Sequence, residues 1–194
     1  MVMVLTSVGL LSGGFLTTVG LLTRERIALN KQMEIERAII QVVPGTQASQ
    51  RMHEEKDLIV YGCLDKERIL LGYAIQATGV GFQDKITFML GTNSILTEIN
   101  SLTILDQKET PGLGAKVTDK ESFLKYWENK DCTRPLSLRK PAVSPEKLAT
   151  SEINTITGAT ISSEAVLNTV NSSLEKVRKF KEEGKLKIKE ENAR

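Results

Sequence analysis

The first 23 residues of the chain carry no charged side chain, which sets them apart from everything that follows. About 22 helical residues rise roughly 33 Å, enough to cross a hydrocarbon core of about 30 Å. The segment is apolar on all sides, and we favour a membrane helix over a buried helix of a globular domain. A cleaved signal peptide is the main alternative, although a basic start, a shorter apolar run and a small-residue cleavage site are not evident. We therefore predict a retained transmembrane anchor over residues 1–23.

Two features of this anchor bear on its surroundings. Gly9 and Gly13 form a small-xxx-small pair, the kind of surface that lets a second membrane helix approach closely. Basic residues follow the span at Arg24, Arg26 and Lys31, while only the amino terminus precedes it. Taken alone, this charge bias predicts that the following residues lie in the cytoplasm.

A second amphipathic pattern follows the anchor. Over Arg24–Val43, apolar residues such as Ile35 and Ile39 recur on one face, charges fill the other, and Pro44-Gly45 ends the run. We expect a connecting helix over residues 24–45.

The hydrophobic pattern then changes to short runs typical of strands. Four β-rich runs are predicted, Leu58–Cys63, Ile69–Thr78, Lys85–Leu90 and Ile95–Leu105. The turn residues that separate them include Gly79, Gly81, Gly91, Thr92 and Asn93. Short connections of this kind favour an antiparallel meander.

Helical and Pro-punctuated segments follow the meander. A helix near Glu121–Asn129, a strand-like Ile153–Ile156 and a helix reaching Phe180 are expected. The order predicts an α+β fold: an N-terminal transmembrane helix, then a single domain over residues 46–180 with a small antiparallel sheet and flanking helices. Residues 181–194 are mostly charged and are predicted to be a solvated helix end or disordered.

Composition excludes several classes of function. A net charge of +2, with acids interleaved among the bases and only nine aromatic residues, gives no basic stripe with stacking platforms for nucleic acid. Cys63 and Cys132 are too few for a zinc or iron–sulfur site, and they are either a disulfide or two buried thiols. The single histidine, His53, lies in a polar stretch and is interpreted as a surface residue. No metal site and no catalytic residue is predicted.

The segment with the clearest chemical meaning is Thr157-Gly158-Ala159-Thr160, which precedes an amphipathic run. Gly158 permits a positive φ or a close backbone approach, and Ser162 and Ser163 are good N-cap residues. A helix start presents unpaired N–H groups and the positive end of its dipole, which suits a phosphate group. An ordinary capped helix after a turn is the alternative.

A second glycine-rich element is Glu109–Lys116. Pro111-Gly112 favours a turn, and Gly112 and Gly114 around Leu113 let backbone approach a flat ligand while the leucine packs on it. The element has neither the Walker pattern nor the dinucleotide fingerprint. A purely structural loop is the alternative.

Together, these elements resemble the flavin-binding G subunit of Rnf-type electron transport complexes and its relative, the C subunit of sodium-translocating NADH:quinone reductases. The resemblance covers nearly the whole chain, and it rests on the membrane helix, Arg24–Val43, Gly79–Ile86, Glu109–Gly114 and Thr157–Ser163 in that order.

The resemblance implies a covalent cofactor. In the family, FMN is attached through its phosphate to the last threonine of the motif, here Thr160, by a flavin transferase that uses FAD as donor. Around it, the residues expected to bind FMN are Thr157, Gly158, Ala159, Ser162, Glu109, Thr110, Gly112, Leu113 and Gly114. Thr157 and Ser162 can donate hydrogen bonds to the phosphate. Glu109 is either a charge that tunes the flavin or a solvated loop acid. The family motif begins with Asp, whereas this chain has Asn154, which keeps the size but loses the charge.

The function implied is a membrane-anchored flavoprotein component that passes electrons between reduced ferredoxin and NAD in a complex that moves Na⁺ or H⁺. Such a chain is not a complete enzyme alone, and its partners are the other membrane, iron–sulfur and flavin subunits. The family places the domain on the extracytoplasmic side, against the charge bias. The alternatives are the quinone-reductase counterpart and a flavin-free assembly or binding subunit, for which Asn154 is the best argument.

Overall fold

The computed structural model describes residues 1–188 of the chain. It contains two compact units, Met1–Glu36 and a second unit that begins at Arg37. The charged residues 189–194 of the predicted tail lie outside the described residues.

Helix α1 runs from Val2 to Val42 without interruption, so the predicted anchor and the predicted connecting helix are one element. An 18-residue window within it has a mean hydropathy of 1.8, and the helix is long and apolar enough to cross a membrane. Its hydroxyl side chains donate to backbone carbonyls four residues earlier, at 2.8–3.0 Å, from Thr6, Ser7, Thr17, Thr18 and Thr23. These bonds satisfy the hydroxyl donors within the helix, as a lipid environment requires.

The main sheet is an antiparallel meander in which each strand pairs with its neighbour in sequence, as the short connections predict. Its six strands are β1 (Ala48–Glu55), β2 (Leu58–Leu64), β3 (Leu70–Val80), β4 (Lys85–Asn93), β5 (Glu98–Gln107) and β6 (Lys130–Asp131). The four predicted β-rich runs correspond to β2, β3, β4 and β5. The α+β fold with an N-terminal apolar helix and an antiparallel sheet is confirmed.

One face of the sheet forms the hydrophobic core with the last helix, α2 (Thr160–Glu182). Alternate residues of β3 and β4, among them Ile75 and Phe88, are fully buried against Val170 and other apolar residues of α2. Burial of these side chains is the main force that fixes α2 across the sheet.

Two glycines predicted to lie in turns are inside strands instead. Gly79 is in β3, where a Cβ would overlap the Thr169 side chain of α2. Gly91 is in β4, where a Cβ would overlap the backbone of Val42 at the end of α1. Both glycines are needed because a helix approaches the sheet closely at each point.

The edge strand β1 is absent from the sequence-based prediction, because its residues are mostly polar and exposed. Within β1, His53 is only partly exposed, and its ring packs on Phe180 with 4.0 Å between ring centroids. The interpretation of His53 as a simple surface residue is therefore incomplete. Both cysteines are free and buried, so the disulfide alternative is excluded.

The prediction of a helix near Glu121–Asn129 is wrong, because the segment forms no α-helix. The segment holds only a short 3₁₀ turn, Leu124–Trp127, in which Trp127 is fully buried and its ring meets Phe123 edge to face at 5.7 Å. Asn129 has a φ of 55°, which ends any regular helix at that residue.

A small parallel pair, β7 (Ser137–Arg139) and β8 (Glu152–Asn154), leads into α2. The predicted strand Ile153–Ile156 therefore begins one residue earlier and ends two residues earlier. After α2, residues 183–188 have no regular structure, and Leu186 packs against the core.

Candidate functional site

The two glycine-rich elements of the sequence meet in the folded chain. Together with Phe82 from the β3–β4 turn, they line a groove of about 410 Å³. The lining residues are Phe82, Glu109, Thr110, Leu113, Gly114, Gly158, Ala159, Thr160, Ile161 and Ser162. Every residue predicted to form the site is among them except Thr157 and Gly112.

The groove is closed on one side by the first turn of α2. Gly158 has a φ of 83°, a conformation that favours glycine, and a Cβ on it would lie 3.5 Å from the Leu113 side chain of the other element. Thr160 is the first residue of α2, and its side chain is partly exposed on the groove.

The predicted capping of α2 is wrong. The N-cap residue is Ala159, whose methyl group cannot accept a hydrogen bond, and the helix begins two residues before Ser162. Ser163 instead accepts a hydrogen bond from the Ile156 N–H at 3.2 Å and donates to the Ala159 carbonyl at 2.9 Å. The serine nearest the groove, Ser162, is occupied with Glu109. The N-terminus of α2 is thus left without a side-chain cap from Ala159, and it faces the groove.

Glu109 connects three walls of the groove. Its carboxylate accepts a hydrogen bond from the Ser162 hydroxyl at 2.6 Å and another from the Gln83 N–H at 2.9 Å. Thr110, the next residue, donates to the Gln83 side-chain oxygen at 2.9 Å. Only 4 % of Glu109 is exposed. The interpretation of Glu109 as a solvated loop acid is therefore excluded.

The surroundings of Glu109 favour its charged form. Burial by itself raises the pKa of this carboxyl, but the Ser162 hydroxyl and the backbone N–H groups of Gln83, Asp84 and Phe82 outweigh it. The pKa of Glu109 is therefore held below its ordinary value of 4.5. At neutral pH the groove contains a fixed negative charge in its wall.

Two glycines make room for this carboxylate. A Cβ on Gly81 would overlap one carboxylate oxygen of Glu109, and a Cβ on Gly114 would overlap the other and lie 2.7 Å from the Ser162 hydroxyl. The glycine-rich composition of both segments thus serves the packing of Glu109 as well as access to the groove.

Large apolar side chains surround the groove and remain exposed to solvent. Phe82 is 66 % exposed, Ile161 is 55 % exposed and Leu113 is 50 % exposed. Sequence reasoning missed Phe82 and Ile161 as site residues. The available signal was a large aromatic residue in a polar turn, Gly81–Asp84, where it has no core to enter.

Three motif residues lie outside the lining of the groove. Thr157 is exposed beside Gly158, and Gly112 has a φ of 77° at the outer turn of its loop. Asn154 is buried, and its side-chain amide makes two hydrogen bonds to Val143: it accepts from the N–H at 3.0 Å and donates to the carbonyl at 2.7 Å. An aspartate could make only the first of these bonds.

The meander, the helix across it and the groove at its start define an FMN-binding domain. The sequence model of the family described as FMN-binding domain matches residues 81–175, a range that includes every residue lining the groove. The match covers just under half of the chain, and the chain is similar to G subunits of ion-translocating oxidoreductase complexes.

Two relatives and one solved structure illustrate this similarity. The chain is 28 % identical over 123 residues to the G subunit of the ion-translocating oxidoreductase complex of Methanosarcina acetivorans, covering 62 % of this chain and 58 % of that protein. It is 27 % identical over 155 residues to the G subunit of the proton-translocating ferredoxin:NAD(+) oxidoreductase complex of Clostridium ljungdahlii, covering 79 % and 78 %. The crystal structure of Shewanella oneidensis NqrC matches with a TM-score of 0.54 at 18 % identity, over 73 % of each chain, and this likeness concerns the fold.

Proposed function

We propose that the chain is a membrane-anchored electron-carrying subunit of an Rnf-type ion-translocating complex, with FMN joined covalently to Thr160. The observation that carries the proposal is the position of Thr160. It is the first residue of α2, and it opens onto the same groove as the loop Glu109–Gly114.

The groove suits the two halves of FMN. The uncapped start of α2 offers N–H donors and a positive dipole end to a phosphate. The exposed side chains of Phe82, Leu113 and Ile161 offer apolar surface to a flat ring system. At about 410 Å³ the groove is of the size expected for a cofactor site.

Attachment requires one substitution at phosphorus. The Thr160 hydroxyl oxygen would attack the FMN phosphorus of FAD, so that a P–O bond to Thr160 would form as the phosphoanhydride P–O bond breaks. AMP would leave with the electron pair, and the hydroxyl proton would be released. We infer that a flavin transferase catalyses this step, because no side chain lining the groove other than the Glu109 carboxylate could take the proton, and Glu109 is bonded to Ser162.

Bound FMN supplies the redox chemistry, since it carries electrons one or two at a time. The chain's own residues hold and shield it. Thr160 tethers it, the apolar residues of the groove exclude water from the ring, and Glu109 keeps a negative charge nearby. That charge opposes the gain of electron density, so we expect it to lower the reduction potential.

Intact-mass analysis tests the cofactor. The full chain is expressed with a flavin transferase of the family and purified in detergent. We expect an FMN-sized addition that Thr160→Ala abolishes and that the exposed control Thr150→Ala retains. A colourless chain of unmodified mass would reject the proposal and favour the flavin-free alternative. The quinone-reductase alternative predicts the same mass, and neighbouring genes for ferredoxin-like iron–sulfur subunits would argue against it.

We further propose that the domain lies on the extracytoplasmic side of the membrane. The basic residues after the span oppose this orientation, but assembly with partner helices can override a bias of three charges. Ser172 is exposed on α2, so Ser172→Cys offers a reporter. We expect an impermeant thiol reagent to label it in intact cells, and protection until lysis would contradict the proposed side.

A further inference from the structure

One face of α2 lies along the segment that contains β7. Thr160, Glu164 and Asn171 fall within about 40° of one another around the helix axis, because each residue advances about 100°. The Asn171 amide accepts a hydrogen bond from the Leu136 N–H and donates to the Leu136 carbonyl, both at 2.9 Å. Glu164 forms an ion pair with Lys140. Two independent contacts therefore fix which segment faces this side of α2.

The direction of the two contacts locates Lys140 relative to Thr160. From Asn171 to Glu164 the helix runs back toward its start, while the facing segment advances from Leu136 to Lys140. Long side chains on a helix lean toward its N-terminus, so the Glu164 carboxylate lies over the preceding turn. The first residue of that turn is Thr160. The ammonium group of Lys140 is thus held beside the first turn of α2.

The backbone around Lys140 is held at both ends. On one side, the Arg139 carbonyl accepts a hydrogen bond from the Thr155 N–H at 3.2 Å. On the other, Val143 is held by both polar atoms of the buried Asn154 amide. Arg139 itself pairs with Glu152, with 3.8 Å between the charged atoms. Lys140 is therefore held where its ammonium group pairs with Glu164, near the start of α2.

We propose that Lys140 is the counter-ion of the phosphate carried by Thr160, and that Glu164 holds it in place before the phosphate is attached. The inference rests on the proposed function and adds to it the residue that neutralises the phosphodiester. A lysine suits this role because it is a compact point charge with rotatable donors, able to move between neighbouring anions. Asn154 acts as a positioning residue, since it holds the backbone that carries Lys140.

A double-mutant cycle tests the geometry without flavin. Thr160→Glu places an anion at the site, Thr160→Gln is the neutral control, and each is combined with Lys140→Ala in the full chain in detergent. We expect the cost of Thr160→Glu relative to Thr160→Gln, measured as the unfolding equilibrium constant at low salt, to rise about two- to fivefold when Lys140 is removed. The coupling should vanish at about 1 M salt.

Lys147→Ala is the matched control, because it removes an exposed lysine seven positions further along the same segment. It should leave the cost of Thr160→Glu unchanged. Equal costs with and without Lys140, or an equal effect of Lys147→Ala, would overturn the inference.

A second measurement uses the native residue. Lysine acylation is quantified by peptide mass spectrometry in the flavin-loaded and the unloaded wild-type chain. We expect Lys140 to react at least twofold more slowly in the loaded chain, while Lys147 reacts equally in both. Flavin on Thr160 with unchanged Lys140 reactivity overturns this inference alone. Absence of flavin on Thr160 overturns the proposed function, and the phosphate role of Lys140 with it.

Discussion

Glu109 loses nearly all contact with water on folding, yet its charged form is the stable one. A buried carboxylate without partners would instead take up a proton. Here the Ser162 hydroxyl and the Gln83 N–H supply hydrogen bonds from two different segments. The same bonds that stabilise the charge also hold the β3–β4 turn and the start of α2 against the loop. One side chain thus couples the shape of the groove to its electrostatics.

Glu109→Gln should therefore destabilise the chain at neutral pH by about 1–3 kcal/mol, because the amide keeps one acceptor and adds a donor where an acceptor is needed. The folded-state pKa of Glu109 lies below 4.5, so its contribution is present above that pH and is lost as pH falls through the folded-state pKa. The stability difference between wild type and variant, measured by thermal unfolding, should shrink from pH 6 toward pH 3.

The exposed Glu98 supplies the control, and Glu98→Gln should change stability little at either pH. A Glu109→Gln deficit of the same size at pH 6 and at pH 3 would show that the carboxylate charge is not what stabilises the fold.

Asn154 shows how a departure from the family motif can be understood from its contacts. Its amide is both donor and acceptor to Val143. Asn154→Asp restores the residue of the family motif but sets a carboxylate oxygen against the Val143 carbonyl. We expect a loss of about 1–3 kcal/mol in the free energy of unfolding at neutral pH.

Denaturant unfolding checks this prediction. The repulsion raises the pKa of the introduced carboxyl, so the loss should diminish on acidification, when the acid can donate to the carbonyl. Asn168→Asp, at an exposed position of α2, is the control and should be nearly neutral. Equal stability of Asn154→Asp and wild type at pH 7 would mean that the amide donor is not needed.

At the scale of elements, the end of α1 packs on the sheet at Gly91. Ala38, Ile39 and Val42 are buried there, and the Val42 carbonyl and Cβ occupy the space that a side chain on Gly91 would need. Because the obstacle includes backbone, rotation of a side chain cannot relieve it.

Gly91→Ala should therefore destabilise the second unit by at least about 1–3 kcal/mol, as overpacking does. Unfolding of the full chain in detergent measures the effect. Ser101→Ala changes the cross-strand neighbour of Gly91 and should cost less. An unchanged midpoint for Gly91→Ala would mean that α1 and β4 separate easily at this point.

These close approaches also explain what the sequence can and cannot predict. Runs of β-branched and other apolar residues between turn residues locate β2 to β5, because such residues favour strands. Local rules associate glycine with turns and so misplace Gly79 and Gly91, whereas contacts with distant helices require them in strands. The edge strand β1 has no apolar run, since most of its side chains are polar and exposed, and its backbone pairing with β2 requires no particular residue type.

The candidate site is predictable where local conformation decides it. The glycine-rich motifs stand out in the sequence because positive φ values at Gly112 and Gly158 need glycine. The cap of α2 is misassigned from sequence because Ser162 bonds to Glu109, 53 residues away, and no local rule includes such a partner. Phe82 escapes prediction for a similar reason: it reaches the groove through the fold, and local rules assign its segment only to a turn between two strands.

At the scale of the whole molecule, the two units contribute different parts of the proposed role. The second unit contains the groove, the Glu109 carboxylate and Thr160, and the family match at residues 81–175 falls entirely within it. The first unit is helical, and it supplies an apolar length sufficient for a membrane. In the proposed role a covalent cofactor suits such an anchored domain, because a tether prevents loss of the cofactor by dissociation.

Whether α1 is retained as a membrane anchor can be tested directly. If α1 is retained as a transmembrane helix, the native chain should resist extraction of membranes with alkaline carbonate, and its intact mass should include residues 1–23. The physical reason is that returning about 20 apolar residues from hydrocarbon to water is strongly unfavourable.

A variant that carries Leu10→Arg and Leu11→Arg places two charges within the span and should be released from the membrane in larger part. Leu→Ile at both positions is the matched control and should stay bound. A native chain that begins beyond residue 20 would instead identify the apolar segment as a cleaved signal peptide, and the domain would then need partner subunits to hold it at the membrane.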